Sequence, residues 1–78
     1  MGQGPQMPAM PLSLVHSGDT VTVARVRGNE NIKHHLENLG FVEGAKVMVV
    51  SSLQGNLIVS VKDVRVAISQ QMASRIYV

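Results

Sequence analysis

The side chains that could bind a transition metal are few. The sequence has three histidines, His16, His34 and His35, and imidazole is a common ligand of transition metals. His34 and His35 are adjacent, so on a helix they point about 100° apart and cannot readily share one ion. Glu30 and His34 are four residues apart and would share a helix face, which makes them weak candidate metal ligands. The alternative is an ordinary surface pair, and the pattern favours it because a metal site needs several convergent, supported ligands.

The sequence contains few residues in patterns typical of a catalytic site. The acidic residues are Asp19, Glu30, Glu37, Glu43 and Asp63, and most of them fall in predicted turns or on the polar face of a predicted helix. The absence of cysteine excludes thiolate zinc sites and thiol nucleophiles. No nucleophile–base pattern of the Ser-His-Asp kind and no phosphate-binding Gly-x-x-x-x-Gly-Lys loop is visible. We therefore predict that the protein is not an enzyme and needs no cofactor.

Binding to a protein partner is the more promising chemistry. Val47 and Val49 alternate with Met48 and Val50 in a predicted strand, so one pair would face the core and the other would face outward. Methionine on a surface is adaptable and recurs at partner-binding sites. We take Met48 and Val50, with Ile58 and the neighbouring Lys46, as partner-binding candidates. The alternative, that a helix covers Met48 and Val50 and makes them core residues, stays open at this point.

The elements that would carry these residues are mostly short strands. Alternating apolar and β-branched residues predict strands at residues 20–27, 45–51, 57–61, 64–68 and 76–78. Val26 is out of phase with Val23, so a bulge near Ala24 and Arg25 is expected to bend the first strand. A two-residue turn at Lys62 and Asp63 would join the third and fourth strands, although it lacks the glycine that such turns prefer.

One helix of useful length is predicted between the first and second strands. Its apolar stripe, at i, i+4 and i+7, consists of Ile32, Leu36 and Leu39. Asn29 or Asn31 can cap its start, and Gly40 suits a left-handed position just past its end. Ser69 can cap a short helical turn over residues 70–74. Five strands with these helices predict a mainly β fold, a five-stranded antiparallel barrel of the SH3-like kind.

The order of these signals resembles the FeoA family, ferrous iron transport protein A. The resemblance rests on Leu36-x-x-Leu39-Gly40, on Gly44, on Arg65-Val66-Ala67-Ile68 and on the ending Met72-Ala73-x-x-Ile76-x-Val78. It covers residues 12–78, which we take as the domain, with residues 1–11 as a flexible tail that contains three prolines.

This resemblance implies a role in bacterial ferrous iron uptake. It implies an accessory protein that binds and modulates FeoB, the GTP-dependent membrane transporter of ferrous iron, from the cytosolic side. Fe²⁺ would be the ion of the pathway, without a tight site on this chain. The SH3-like fold also occurs as the C-terminal domain of iron-dependent repressors, so a regulatory domain of that kind is an alternative.

The composition allows one further alternative. The formal net charge of +2 and the pI of about 9.5 permit a small barrel that binds nucleic acid. Such sites stack bases on aromatic side chains, yet the chain has only Phe41 and Tyr77 and no tryptophan, which disfavours both this alternative and a proline-rich-peptide reader. No apolar stretch approaches the ~20 residues of a membrane helix. We expect a cytoplasmic protein that does not insert into the membrane and that a partner recruits there.

Overall fold

The structure is a computed structural model that describes residues 10–78. In chain order the elements are a 3-10 turn at Leu12–Leu14, β1 at Thr20–Thr22, β2 at Arg25–Val26, α1 at Glu30–Asn38, β3 at Lys46–Leu53, β4 at Asn56–Val61, β5 at Val64–Ser69, α2 at Gln70–Ala73 and β6 at Ile76–Tyr77. The prediction of a mainly β fold is confirmed. Most of the predicted tail, residues 1–9, lies outside the described residues.

The strands form two antiparallel sheets. One has the order β1-β3-β4-β5 and the other consists of β2 and β6. Residues 10–78 therefore form six strands in two sheets, where the sequence predicts a single five-stranded barrel. The main helix follows the second strand, not the first.

The extra strand arises because the predicted first strand is divided. Val23 N–H donates to the Ala45 carbonyl at 2.9 Å, and the next residue, Ala24, donates to the Tyr77 carbonyl at 2.7 Å. Consecutive residues thus bond to different sheets. The chain bends where the predicted bulge lies, but it does so by changing its pairing partner from β3 to β6.

The core lies on the inner face of the four-stranded sheet. Its largest fully buried side chain is Phe41, which lies three residues after the end of α1. The other fully buried large residues are Leu12, Val23, Leu36, Val47, Val49, Leu57, Val59, Val61 and Ile76. Within residues 10–78 no polar or charged side chain is buried, so burial of apolar area supplies the driving force for folding.

Helix α1 begins and ends where the sequence predicts. The Asn29 side chain accepts a hydrogen bond from Ile32 N–H at 2.9 Å, so Asn29 is the cap and Asn31 is not. Gly40 has a φ of 108°, in the region that only glycine adopts readily. A Cβ on Gly40 would lie 3.2 Å from Cγ2 of Val61, which fixes this turn closely against β4. The predicted cap of α2 is confirmed as well, because the Ser69 hydroxyl accepts from Met72 N–H at 3.1 Å.

Tight turns set the register of the main sheet. Lys62 and Asp63 have φ values of 53° and 63° and join the paired residues Val61 and Val64. Positive φ at both central positions defines a type I′ turn, which suits the twist of a hairpin. The predicted two-residue turn is therefore formed without glycine.

The two ends of the described chain meet. Met10 N–H donates to the Val78 carbonyl at 3.2 Å, and Val78 N–H donates to the Met10 carbonyl at 2.9 Å. Pro11 forms a bridge to Tyr77 beside them. Met10 and Pro11, which the sequence assigns to the tail, are thus joined to the fold through the C-terminal strand.

Candidate partner-binding surface

The outer face of the four-stranded sheet carries the partner-binding candidates. The pairing register aligns Thr20 of β1, Met48 of β3, Ser60 of β4 and Arg65 of β5 in one row across this face. The neighbouring residues Val47 and Val49 are buried on the opposite face. Met48 is 39% exposed, so the alternative that it belongs to the core is wrong.

A shallow hollow surrounds Met48. It has a volume of about 360 Å³ and is lined by Thr20, Ala45, Lys46, Met48, Ser60, Lys62 and Asp63. Thr20 and Ser60 flank Met48 in the strand register, and the lining also includes two lysines and one carboxylate. Within residues 10–78 neither lysine forms an ion pair. The hollow thus combines an apolar side chain with a lining that is cationic on balance, which suits a partner with an apolar anchor and nearby acidic groups.

Val50 and Ile58 extend the outer face away from this hollow. The register between β3 and β4 shifts between Val49 and Ser51, which leaves Val50 as the extra residue of a bulge. Ile58 pairs with Ser51, and both Val50 and Ile58 are half-buried. Neither lines the hollow, so the structure brings Met48 and Lys46 together and leaves Val50 and Ile58 outside it.

The candidate metal ligands lie apart from this surface, on α1. Nε2 of His34 is 3.7 Å from Oε1 of Glu30, and the two side chains are 70% and 84% exposed. His16 and His35 are also exposed. No group of three potential ligands occurs within residues 10–78. Two exposed ligands on one helix face form a surface pair of the kind that the sequence favours.

Some features of the surface were not predicted from the sequence. Lys62 and Thr20 belong to the hollow only because β1 and β4 flank β3, and strand order cannot be read from periodicity. The Arg27 guanidinium lies 5.8 Å from the centre of the Tyr77 ring, a cation–π distance. The pairing of β2 with β6 brings these two residues together, and no local sequence signal predicts it.

Comparison with known proteins identifies the family. The FeoA domain model matches residues 10–78. The chain belongs to the FeoA family. No match is found among curated proteins.

Solved structures support the assignment and show how widely the fold is used. An iron uptake regulatory protein, FeoA, shares 34% identity with a TM-score of 0.83 over 91% of this chain and 95% of that one. FeoA from Stenotrophomonas maltophilia, a prokaryotic SH3 domain protein solved with zinc, shares 31% identity with a TM-score of 0.77 over 87% of each chain. A manganese-dependent transcriptional repressor shares 26% identity with a TM-score of 0.85, and the chain spans only 44% of its length. The SH3-like character predicted from the sequence is confirmed.

Within the described residues, no helix is long and apolar enough to cross a membrane.

Proposed function

We propose that this FeoA-family protein is an accessory protein of bacterial ferrous iron uptake that binds a cytosolic surface of a FeoB-like, GTP-dependent transporter. The observation that carries the proposal is the family match over residues 10–78, together with the near-complete overlap with an iron uptake regulatory protein. In this role the protein works in the cytoplasm and reaches the membrane through its partner.

The protein acts by differential binding. A ligand shifts a two-state equilibrium only by the difference between its affinities for the two states. An accessory protein that prefers one nucleotide state of the transporter would therefore change the population of that state, and with it the transport or GTPase cycle. Fe²⁺ is the cargo of the transporter in this proposal and is not held tightly by the accessory chain.

The surface around Met48 is the proposed contact. The exposed residue Met48 lines the hollow together with Lys46 and Lys62. Burial of an apolar anchor at the centre of an interface supplies most of its binding energy. The cationic lining favours a partner surface with acidic groups and raises the association rate.

The first experiment is co-purification with the cognate transporter, with and without guanine nucleotide. We expect association that depends on the nucleotide state. If the wild-type protein associates in no nucleotide state, direct binding is refuted and the family assignment alone stands.

The second experiment substitutes Met48→Asp and compares it with Val42→Asp. The two native side chains are 39% and 37% exposed, but Val42 lies next to a different hollow, with Glu37 and Glu43. Burying an unpaired carboxylate in an interface costs at least about 2 kcal/mol, a loss of roughly thirtyfold or more in affinity. We expect Met48→Asp to abolish co-purification while Val42→Asp retains it, with both variants folded by circular dichroism.

The Val42→Asp control distinguishes two ways in which the Met48→Asp experiment can contradict the proposal. If Met48→Asp stays folded and still co-purifies, the Met48 hollow is not the contact surface, although the transporter can still be the partner. If Met48→Asp unfolds and Val42→Asp does not, Met48 has a structural role that its exposure does not predict.

A further inference from the structure

Within residues 10–78, the edge of the main sheet formed by β5 has no neighbouring strand. Strand β5 pairs with β4 along its whole length, and within residues 10–78 it is the terminal strand of the sheet. In an antiparallel pair, residues that exchange hydrogen bonds with the neighbour alternate with residues whose N–H and C=O groups point away from it. The chemistry of this edge therefore depends on which residues of β5 point outward.

The turns at both ends fix that alternation. A two-residue turn makes the flanking residues Val61 and Val64 a hydrogen-bonded pair. At the other end, Gln70 N–H donates to the Gly55 carbonyl at 2.9 Å. The backbone N–H and C=O groups of the even-numbered residues of β5 therefore point toward β4 along the whole strand. The N–H and C=O groups of Arg65 and Ala67 and the N–H group of Ser69 consequently point outward, while the Ser69 carbonyl, as the N-cap carbonyl, accepts the first hydrogen bond of α2.

These outward groups are free to bond to another chain. Within residues 10–78 the N–H and C=O groups of Arg65 and Ala67 form no backbone hydrogen bond in a turn, loop or cap. Arg65 and Ala67 are exposed and Ser69 is half-exposed. An open edge of this kind is a template for strand pairing.

Within residues 10–78 this edge has few of the features that usually protect an edge strand against pairing. Protective devices include short length, proline, inward charges and bulges. The opposite edge of the same sheet, β1, has three residues, whereas β5 has six with regular pairing and no proline. Its single charge is Arg65.

We propose that β5 pairs in antiparallel fashion with β5 of a second copy, about a two-fold axis at Ala67. The outward groups allow this register, in which Ala67 opposes Ala67 of the second copy and Arg65 opposes Ser69. Val66 then opposes Ile68 on the inner face, and no two like charges are directly opposite. The Ala67 pair exchanges two backbone hydrogen bonds and each Arg65–Ser69 pair contributes one, from Ser69 N–H to the Arg65 carbonyl, for about four in total.

We choose a second copy as the partner of this edge because the sequence of β5 is compatible with antiparallel pairing to itself. Like charges directly opposite each other destabilise a strand pair, and the single arginine of β5 lies away from the axis. The interface is mainly backbone and smaller than the ~1,200 Å² of stable complexes, so it is transient and concentration-dependent. Paired copies share one continuous outer face, on which both Met48 hollows lie.

A single-cysteine variant tests the register, because the native chain has no cysteine. Residues in a hydrogen-bonded pair have Cα atoms about 5.5 Å apart, within the range that a disulfide spans. Ala67→Cys should therefore form a covalent dimer under mild oxidation. Leu53→Cys is the control, because it lies at the tip of the β3–β4 hairpin and is 65% exposed. We expect Ala67→Cys to crosslink at least roughly tenfold faster, through its higher effective concentration, and equal rates would overturn the proposed register.

Sedimentation of the wild type and of Ala67→Pro tests the association itself. Ala67 N–H points outward, so proline removes no hydrogen bond from the β4–β5 ladder and is tolerated in the folded monomer. The wild type should shift from monomer to dimer as its concentration rises, and folded Ala67→Pro should remain monomeric. A wild type that stays monomeric up to the millimolar range, or a folded Ala67→Pro that still dimerises, would refute the proposal.

Discussion

Replacing Gly40 with alanine perturbs the point where the main helix is fixed against the sheet. Gly40 has a φ of 108° and is buried. An alanine there must either keep this backbone conformation or distort the turn that leads to Phe41. A new Cβ would also lie 3.2 Å from Cγ2 and 3.6 Å from Cγ1 of Val61, so the side chain of Val61 would have to shift by a few tenths of an ångström.

The expected loss of stability follows from three contributions. A non-glycine residue in such a conformation costs about 1–3 kcal/mol. The close contact with Val61 adds to this cost as mild overpacking. Reduced freedom of the unfolded chain offsets about 0.4–1 kcal/mol. We therefore expect Gly40→Ala to lower the free energy of unfolding by about 1–3 kcal/mol.

Thermal and urea unfolding measure this loss, and Gly18→Ala is the matched control. Gly18 has a similar φ of 94°, but a Cβ there would meet nothing within 4 Å. The control therefore carries the conformational strain without the contact. For a domain of this size each kcal/mol corresponds to about 4–8 °C in Tm.

Two outcomes would refute this reasoning. If Gly40→Ala melts at the wild-type temperature, Gly40 has an ordinary conformation in solution. If Gly40→Ala and Gly18→Ala are equally destabilised, the conformational strain is real but the contact with Val61 is not significant.

Three further predictions concern the caps, the turn and the metal. Asn29→Ala should lower the free energy of unfolding by about 1 kcal/mol because it removes the cap of α1, whereas Asn31→Ala should change little in the same urea titration; equal effects would contradict the cap. Replacing Lys62 and Asp63 with Asn-Gly should raise the stability by about 0.5–1 kcal/mol, since these residues tolerate positive φ best, and a lower Tm would show that the turn is not of type I′. Titration with ferrous iron should give no saturation of the His34 resonances at one equivalent in the micromolar range, because a surface pair lacks a third ligand; saturation there would establish a metal site.

Local signals predicted the helices well. The cap at Asn29, the apolar stripe and Gly40 lie within a dozen residues, so the physics that fixes α1 is contained in one short segment. Ser69 likewise caps α2 through a hydrogen bond to a residue three positions away. Such local interactions can be predicted because the residues that form them lie close together in the sequence.

Non-local pairing was the part that sequence reasoning missed. The split between Val23 and Ala24 depends on carbonyl groups of Ala45 and Tyr77, which are distant in the chain. The same limitation applies to the hollow, because periodicity placed Met48 on the outer face but did not identify Thr20 and Ser60 as its neighbours across the sheet. The alternation of residues along a strand predicts which face of the sheet a side chain occupies. Its neighbours on that face depend on the order of the strands, which alternation does not predict.

The hydrogen bonds between Met10 and Val78 bear on how this domain can be used in longer proteins. They bring the two ends of the described chain side by side, so the polypeptide enters and leaves the domain at almost the same point. A unit with adjacent ends can be appended to or inserted into another protein without separating the segments that flank it. The repressor in which a similar domain accounts for 44% of the chain shows such a combination, and the geometry explains why the fold is portable as a module.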